Sequence, residues 1–303
     1  FVRFASRVTK HGGSALPGKV VEKIDPGFLT RTLGQLPLGV VLVSGTNGKT
    51  TTTRMVASML SDLGLKVFTN PTGSNFVRGV VSALLTEVTL GGKLDADIAV
   101  LELDEAYAVH FVKQVKPRYA LLLNVMRDQL DRFGEIDTTA KLLSHVAAAT
   151  TGTVVLNRED PRIAALAAKA PAGTTVRYFG LADDLRRYFP SDDDMATTVS
   201  VEGVAGPLPS ARTPLSPRSE LRGASAGTAE LPADVTLTAV GDHKATFQMD
   251  GQGYATDVKL EGVYNLYNAA AALAVVRAVM QDNAAASKAT AAANACAVSA
   301  DEL

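Results

Sequence analysis

The chain of 303 residues has no tryptophan and one cysteine, Cys296. A single thiol cannot build an intrachain disulfide framework and cannot supply a four-thiolate zinc site. An excess of one charge is also missing: 30 Lys and Arg stand against 31 Asp and Glu, a formal net charge of −1. No global basic field therefore points to nucleic acid. No apolar run reaches the roughly 20 residues that cross a bilayer. The opening stretch "FVRFASRVTKHGG" is basic, but it lacks the apolar core and small-residue cleavage site of a secretory signal, and it reads as a solvated tail. These absences describe a soluble chain of a reducing compartment. The sequence opens on Phe1 and stops at "AVSADEL" in mid-pattern, so a piece of a longer protein is expected.

Hydrophobic residues make up 47% of the chain, enough for one large core or two smaller ones. Residues 1–38 carry "GGSALPG" and "LPLG" and read as an irregular, turn-rich segment. From Gly39, apolar strands alternate with helical patterns. "LGVVLVSG", "LKVFTN", "DIAVLELDE", "RYALLLNV", "GTVVLN" and "TTVRYFG" read as strands. "TTTRMVASMLSDLG" reads as a helix with Met55, Met59 and Leu63 on one face, ending at Gly64; "VRGVVSALLTEV", "AVHFVKQVK", "AKLLSHVAAA" and "PRIAALAAKA" read as further helices. Near-continuous apolar strands between helices predict an α/β fold, a parallel sheet with helices on both faces. Residues 182–233 are rich in Asp, Ser, Pro, Gly and Arg and read as a mobile insertion. "DVTLTAV", "ATFQMD" and "YATDVKL" alternate with period 2 and predict a small antiparallel sheet. "EGVYNLYNAAAALAVVRAVM" is a long helix, and residues 286–303 read as the start of another unit.

"GTNGKTT" stands between a strand and a helix. In the common phosphate-binding loop, the first glycine would fall on Val43, so the spacing here is a shorter one. Even so, the main-chain N–H groups of Gly45, Thr46, Asn47, Gly48, Lys49, Thr50 and Thr51 stand at a helix N-terminus, where phosphates bind. Lys49 is expected to reach the β/γ-phosphate oxygens, and the Thr50 hydroxyl to sit on Mg²⁺. Glu102 ends a buried strand on the edge where open sheets bind ligands, so it is expected to complete the Mg²⁺ shell and, with Lys49, to serve catalysis. Asp104 and Glu105 read as caps of the next helix, and His110 as a second-metal contact or a solvated histidine.

"GTNGKTT", the Glu-ending strand, "LNVMRDQLDRFGEID" and "GVYNLYNAAAALA", in this order, resemble the central ATPase domain of the Mur ligases. "GGSALPG", "TNPTGSNFVRG" and "ELDEAYAVHFVKQVKPRYALLLNV" are similar to the branch that amidates lipid II. The resemblance covers roughly residues 10–180 and 235–285 and places the ATPase domain at 39–285. It implies ATP and Mg²⁺ as cofactors and an acyl phosphate on the α-carboxylate of D-glutamate in the lipid II stem peptide. It also implies a GatD-type glutaminase partner that supplies ammonia, and a place at the inner, cytoplasmic face of the membrane. Asn75 and Asn124 then stand near the reacting carboxylate, and Asn265 and Asn268, three apart on one helical face, near the adenine base. Asp128 and Asp131 are ligand or helix-capping candidates, and Lys141 is a candidate for carbamylation. Two departures matter. Many relatives carry a four-cysteine zinc ribbon where 182–233 has no cysteine, so no zinc site is expected. Most amino-acid-adding relatives carry histidine where this chain has Gln129, which, with "GEID", argues against an amino-acid-adding ligase or a folylpolyglutamate synthase. A non-catalytic nucleotide-binding module is the remaining alternative.

Overall fold

Val40–Ser44, an unbroken apolar run closed by one serine, forms strand β1 and is buried along its whole length. In the computed structural model, the described residues are 16–70, 75–126, 135–189, 231–241, 244–257 and 263–300. Two helices precede β1, α1 (Leu16–Ile24) and α2 (Phe28–Leu33). After it come α3 (Lys49–Asp62), β2 (Val67–Thr69), α4 (Val77–Glu87), β3 (Ile98–Glu102), α5 (Glu105–Val112), β4 (Tyr119–Leu122), α6 (Glu135–Ala149), β5 (Thr153–Asn157), α7 (Pro161–Ala164) and β6 (Thr175–Leu181). The chain closes with β7 (Val235–Gly241), β8 (Lys244–Met249), β9 (Gln252–Asp257) and α8 (Val263–Ala300).

One nine-stranded sheet runs in the order β2-β3-β1-β4-β5-β6-β7-β8-β9. β2 through β7 pair in parallel, and the last two pairings are antiparallel. The strand pleat sorts the core into two layers. Leu42, Leu122 and Leu156 face Leu33, Val80, Leu84, Phe111 and Leu143 of the helices on one side. Val41, Val43, Leu121 and Val155 face Val56 and Leu60 of α3 and the stretch Ala269–Val279 of α8. Buried alanines let α8 lie close on the sheet. β1 sits between β3 and β4, where the chain, having built one half of the sheet, crosses to the other. The carboxyl ends of strands at such a switch point form the natural ligand crevice.

Several expectations change. Residues 16–24 and 28–33 are helical, not irregular. Pro17 stands in the first turn of α1, where its missing N–H costs nothing. Gly18 is needed for close approach: its N–H donates to Ser82 Oγ at 3.0 Å, and a Cβ there would fall 2.2 Å from the Arg78 carbonyl oxygen of α4. The buried face of α3 is Thr52, Thr53, Val56 and Leu60; Met55 and Met59 are half-buried and Leu63 is exposed. The three period-2 strands pair antiparallel as expected, but because Phe179–Leu181 pair with Val235–Leu237 they continue the main sheet. α7 is four residues long and passes into a 3₁₀ turn, Ala165–Lys169. A 3₁₀ turn, Asp183–Tyr188, opens the expected insertion; residues 190–230 lie outside the described residues. α8 continues as one helix past residue 285. Among the described residues, no helix is long and apolar enough to cross a membrane.

Candidate active site

β1 ends at the ligand edge and hands the chain to the turn Gly45–Gly48, which caps α3. Gly48 has φ +85°, a left-handed conformation that an L side chain resists. A Cβ on it would also fall 2.6 Å from Asn268 Oδ1, so the first turns of α3 and α8 approach closely at this point. The Lys49 ammonium is folded back over the turn: it donates to the Gly45 carbonyl at 2.6 Å and the Thr46 carbonyl at 3.1 Å. Asp104 at 3.4 Å and Glu105 at 3.9 Å complete its surroundings. Thr50 donates its hydroxyl to Glu102 Oε1 at 2.7 Å. The sequence therefore placed the two expected Mg²⁺ ligands side by side although 52 residues separate them. A hydroxyl and a carboxylate are hard oxygen donors, the kind Mg²⁺ prefers. Thr51 is half-buried in the same helical turn.

The expected asparagines are already engaged. Asn124 Oδ1 accepts from the Asn47 N–H at 2.9 Å, and its Nδ2 donates to the Asn47 carbonyl at 3.0 Å. The Thr46 N–H donates to the Asn124 carbonyl at 2.9 Å, so Asn124 braces the turn. Asn75 Nδ2 donates to Asp104 Oδ2 at 2.6 Å, and the Asp104 N–H to the Asn75 carbonyl at 3.1 Å. Asp104 precedes α5 but makes no side-chain capping bond, because its carboxylate serves Asn75 and Lys49. His110 and Lys141 are exposed on α5 and α6. Asp128, Gln129 and Asp131 lie outside the described residues.

Beyond the turn, a cleft of ≈ 290 Å³ opens between the ends of β4 and β5 and the start of α8. Asn268 lines it together with Tyr264 and Tyr267, the i, i+3, i+4 face of α8; Asn265 is not among the lining residues. Phe189 forms an apolar wall, its ring 5.5 Å from those of Tyr264 and Tyr267. The Tyr267 hydroxyl donates to Asn157 Oδ1, and Asn157 Nδ2 donates to the Leu123 carbonyl at 2.8 Å, tying α8 to β4 and β5. Glu159 is held by Arg158 at 2.7 Å and Arg186 at 3.0 Å. Asp160 accepts from the N–H groups of Val125, Arg162 and Ile163 at 2.7, 3.0 and 3.1 Å. Burial pushes its carboxyl above the usual carboxylate range, outweighing those three donors. Phe189, Asn157, Glu159, Asp160 and the two tyrosines went unread in the sequence. "NRED" at a strand end was their one visible signal.

The Mur ligase middle domain matches residues 43–204. The subunit MurT of lipid II isoglutaminyl synthase (glutamine-hydrolyzing) from Streptococcus pneumoniae is 32% identical over 280 residues, 89% of this chain and 59% of that protein. The Staphylococcus aureus MurT subunit is 34% identical over 179 residues, 59% of this chain and 39% of that protein. The chain thus spans at most about three-fifths of the length of these relatives. The crystal structure of MurF ligase from Thermotoga maritima in complex with ADP shares the fold at a TM-score of 0.58 and 19% identity, covering 86% of this chain and 49% of that one. The chain belongs to the Mur ligase family, through its middle domain.

Proposed function

We propose that this chain is the ATP-binding and phosphoryl-transfer part of a ligase that amidates lipid II. An oxygen of the D-glutamate α-carboxylate in the stem peptide bonds to the γ-phosphorus of ATP, and the bond from phosphorus to ADP breaks. Ammonia released from glutamine by a GatD-type subunit adds to the acyl carbon; phosphate leaves, a proton is lost, and D-isoglutamine remains. The observation that carries this reading is the 32% identity to a protein named as the MurT subunit of lipid II isoglutaminyl synthase over 89% of the chain. The work would take place at the cytoplasmic face of the membrane, where lipid II resides.

The geometry supports the chemistry. Gly45–Thr51 would receive the phosphates on main-chain N–H groups at the start of α3. Lys49 would exchange the Gly45 and Thr46 carbonyls for β/γ-phosphate oxygens, a larger charge at similar reach. Thr50 and Glu102 would hold Mg²⁺, which when bound offsets the charge on the phosphate oxygens. The aromatic wall of Phe189 and Tyr264, with Asn268 offering donor and acceptor, suits a flat base with polar edges. Asn75, bonded to Asp104, and Asn124, bonded to Asn47, would meet the carboxylate.

The full-length protein, purified with its glutaminase subunit and supplied with lipid II, ATP, Mg²⁺ and glutamine, should yield ADP and an amidated stem peptide by mass spectrometry. Turnover with folate and glutamate, or with an amino acid and a nucleotide-linked muramoyl peptide, and none with lipid II, would overturn the reading.

A further inference from the structure

β3 ends on Glu102, and its two neighbours treat that end differently. On the β1 side the ladder continues: the Leu103 N–H donates to the Val43 carbonyl at 3.2 Å, and Ser44 Oγ donates to the Leu103 carbonyl at 2.8 Å. On the β2 side, among the described residues, pairing stops at Thr69 and Val100. The main-chain groups of Glu102 point to that side and are buried. A side chain meets both of them. Asn70 Oδ1 accepts from the Glu102 N–H at 2.9 Å, and Asn70 Nδ2 donates to the Glu102 carbonyl at 3.0 Å. Asn70 is itself 7% exposed. A primary amide presents an N–H donor beside a carbonyl acceptor, as a peptide group does, so it completes the ladder in both directions.

We propose that Asn70 is a positioning residue for the metal–nucleotide site. By fixing the main chain of Glu102 it holds the carboxylate against Thr50, 2.7 Å from the hydroxyl. Without it the last residue of β3 has two unmet main-chain groups in an apolar interior, and the strand end must shift to find partners. The carboxylate then loses its fixed approach to the metal. This inference rests on the Mg²⁺ role proposed for Thr50 and Glu102.

Mn²⁺ serves as the probe, read by electron paramagnetic resonance on the full-length protein with ATP, beside calorimetric ATP binding in EDTA. Asn70→Ala and Asn70→Ser are compared with Glu102→Gln. Loss of an outer-shell partner should weaken Mn²⁺ binding about 10–100-fold in both Asn70 variants while leaving metal-free ATP binding nearly unchanged. Amide hydrogen exchange at residues 100–104 should rise in the same variants. If Asn70→Ala does not fold, the serine variant, which keeps a small polar group but cannot span both partners, carries the test. Unchanged Mn²⁺ affinity in a folded Asn70 variant would overturn the inference, as would equal losses with and without metal. A Glu102→Gln protein that binds Mn²⁺ like the parent would remove the metal reading itself, and the inference with it.

Discussion

Replacing Gly48 with alanine tests the geometry of the turn through two separable costs. The first is conformational: φ is +85°, and an L-residue in the left-handed region costs about 1–2 kcal/mol. The second is steric, because the new Cβ falls 2.6 Å from Asn268 Oδ1. Driving that amide off its rotamer adds about 0.5–1.5 kcal/mol. The sum, about 1.5–3.5 kcal/mol, lowers Tm by roughly 3–7 °C if a chain of this size loses about 2 °C per kcal/mol. Asn268→Ala alone removes a half-buried amide and should change stability by less than about 0.5 kcal/mol. The double variant keeps the conformational cost and loses the steric one. Its destabilisation should therefore fall short of the sum of the single changes by about 0.5–1.5 kcal/mol. Denaturant melts of the four proteins, followed by circular dichroism, measure this cycle. Additivity within about 0.3 kcal/mol would refute the claimed contact, and a Gly48→Ala protein as stable as the parent would refute the strained turn.

Other outcomes follow from the same geometry. Lys49→Ala should lower ATP turnover by the complete enzyme at least about 100-fold, as removal of a single transition-state donor does elsewhere; unchanged turnover would favour a non-catalytic binding module. Gly18→Val should separate α1 from α4, since even a Cβ meets the Arg78 carbonyl oxygen at 2.2 Å, and overpacking of this kind costs about 1–3 kcal/mol; limited proteolysis within residues 16–24 should accelerate. Alkaline stability should fall from about pH 10, where tyrosine ionises in the unfolded chain. Burial pushes the hydroxyls of Tyr119 and Tyr267 well above that value, and Tyr119 also donates to Asp282 at 2.8 Å. The folded state therefore keeps protons that the unfolded state releases, and the stability they contribute is lost as pH rises. Phenolate absorbance from these groups should appear with unfolding and not before it; titration of all tyrosines in an intact fold would contradict this.

Local chemistry made part of the site legible and topology hid the rest. "VVLVSGTNGKTT" declares a buried strand, a glycine turn and a helix start within a dozen residues, and a carboxylate closing an apolar run marks Glu102. The cleft is different. Asn157 and Tyr267 read as ordinary strand-end and helix residues and Phe189 as part of the mobile insertion, and only the pairing of β4, β5 and β6 and the crossing of α8 bring them together. Asn70 is one residue past a three-residue strand, and nothing nearby shows that its partner lies 32 positions away. Gly18 and Pro17 suggested a turn because their packing against α4 could not be seen. The period-2 strands were correctly typed, but whether they join the main sheet is decided by Phe179–Leu181, more than 50 residues upstream.

β1 is hydrogen-bonded on both flanks along its length, and the glycine turn proposed to hold phosphate is its direct continuation. Amides in such a central strand exchange with solvent only when the whole domain opens, whereas edge segments such as β9 breathe locally. Nucleotide occupancy should therefore be coupled to global unfolding: a bound ligand raises the free energy of the slowest-exchanging amides by RT ln(1 + [L]/Kd). A mutation that loosens the middle of the sheet would weaken nucleotide retention even when it touches no ligand, while changes along the far edge would leave retention intact.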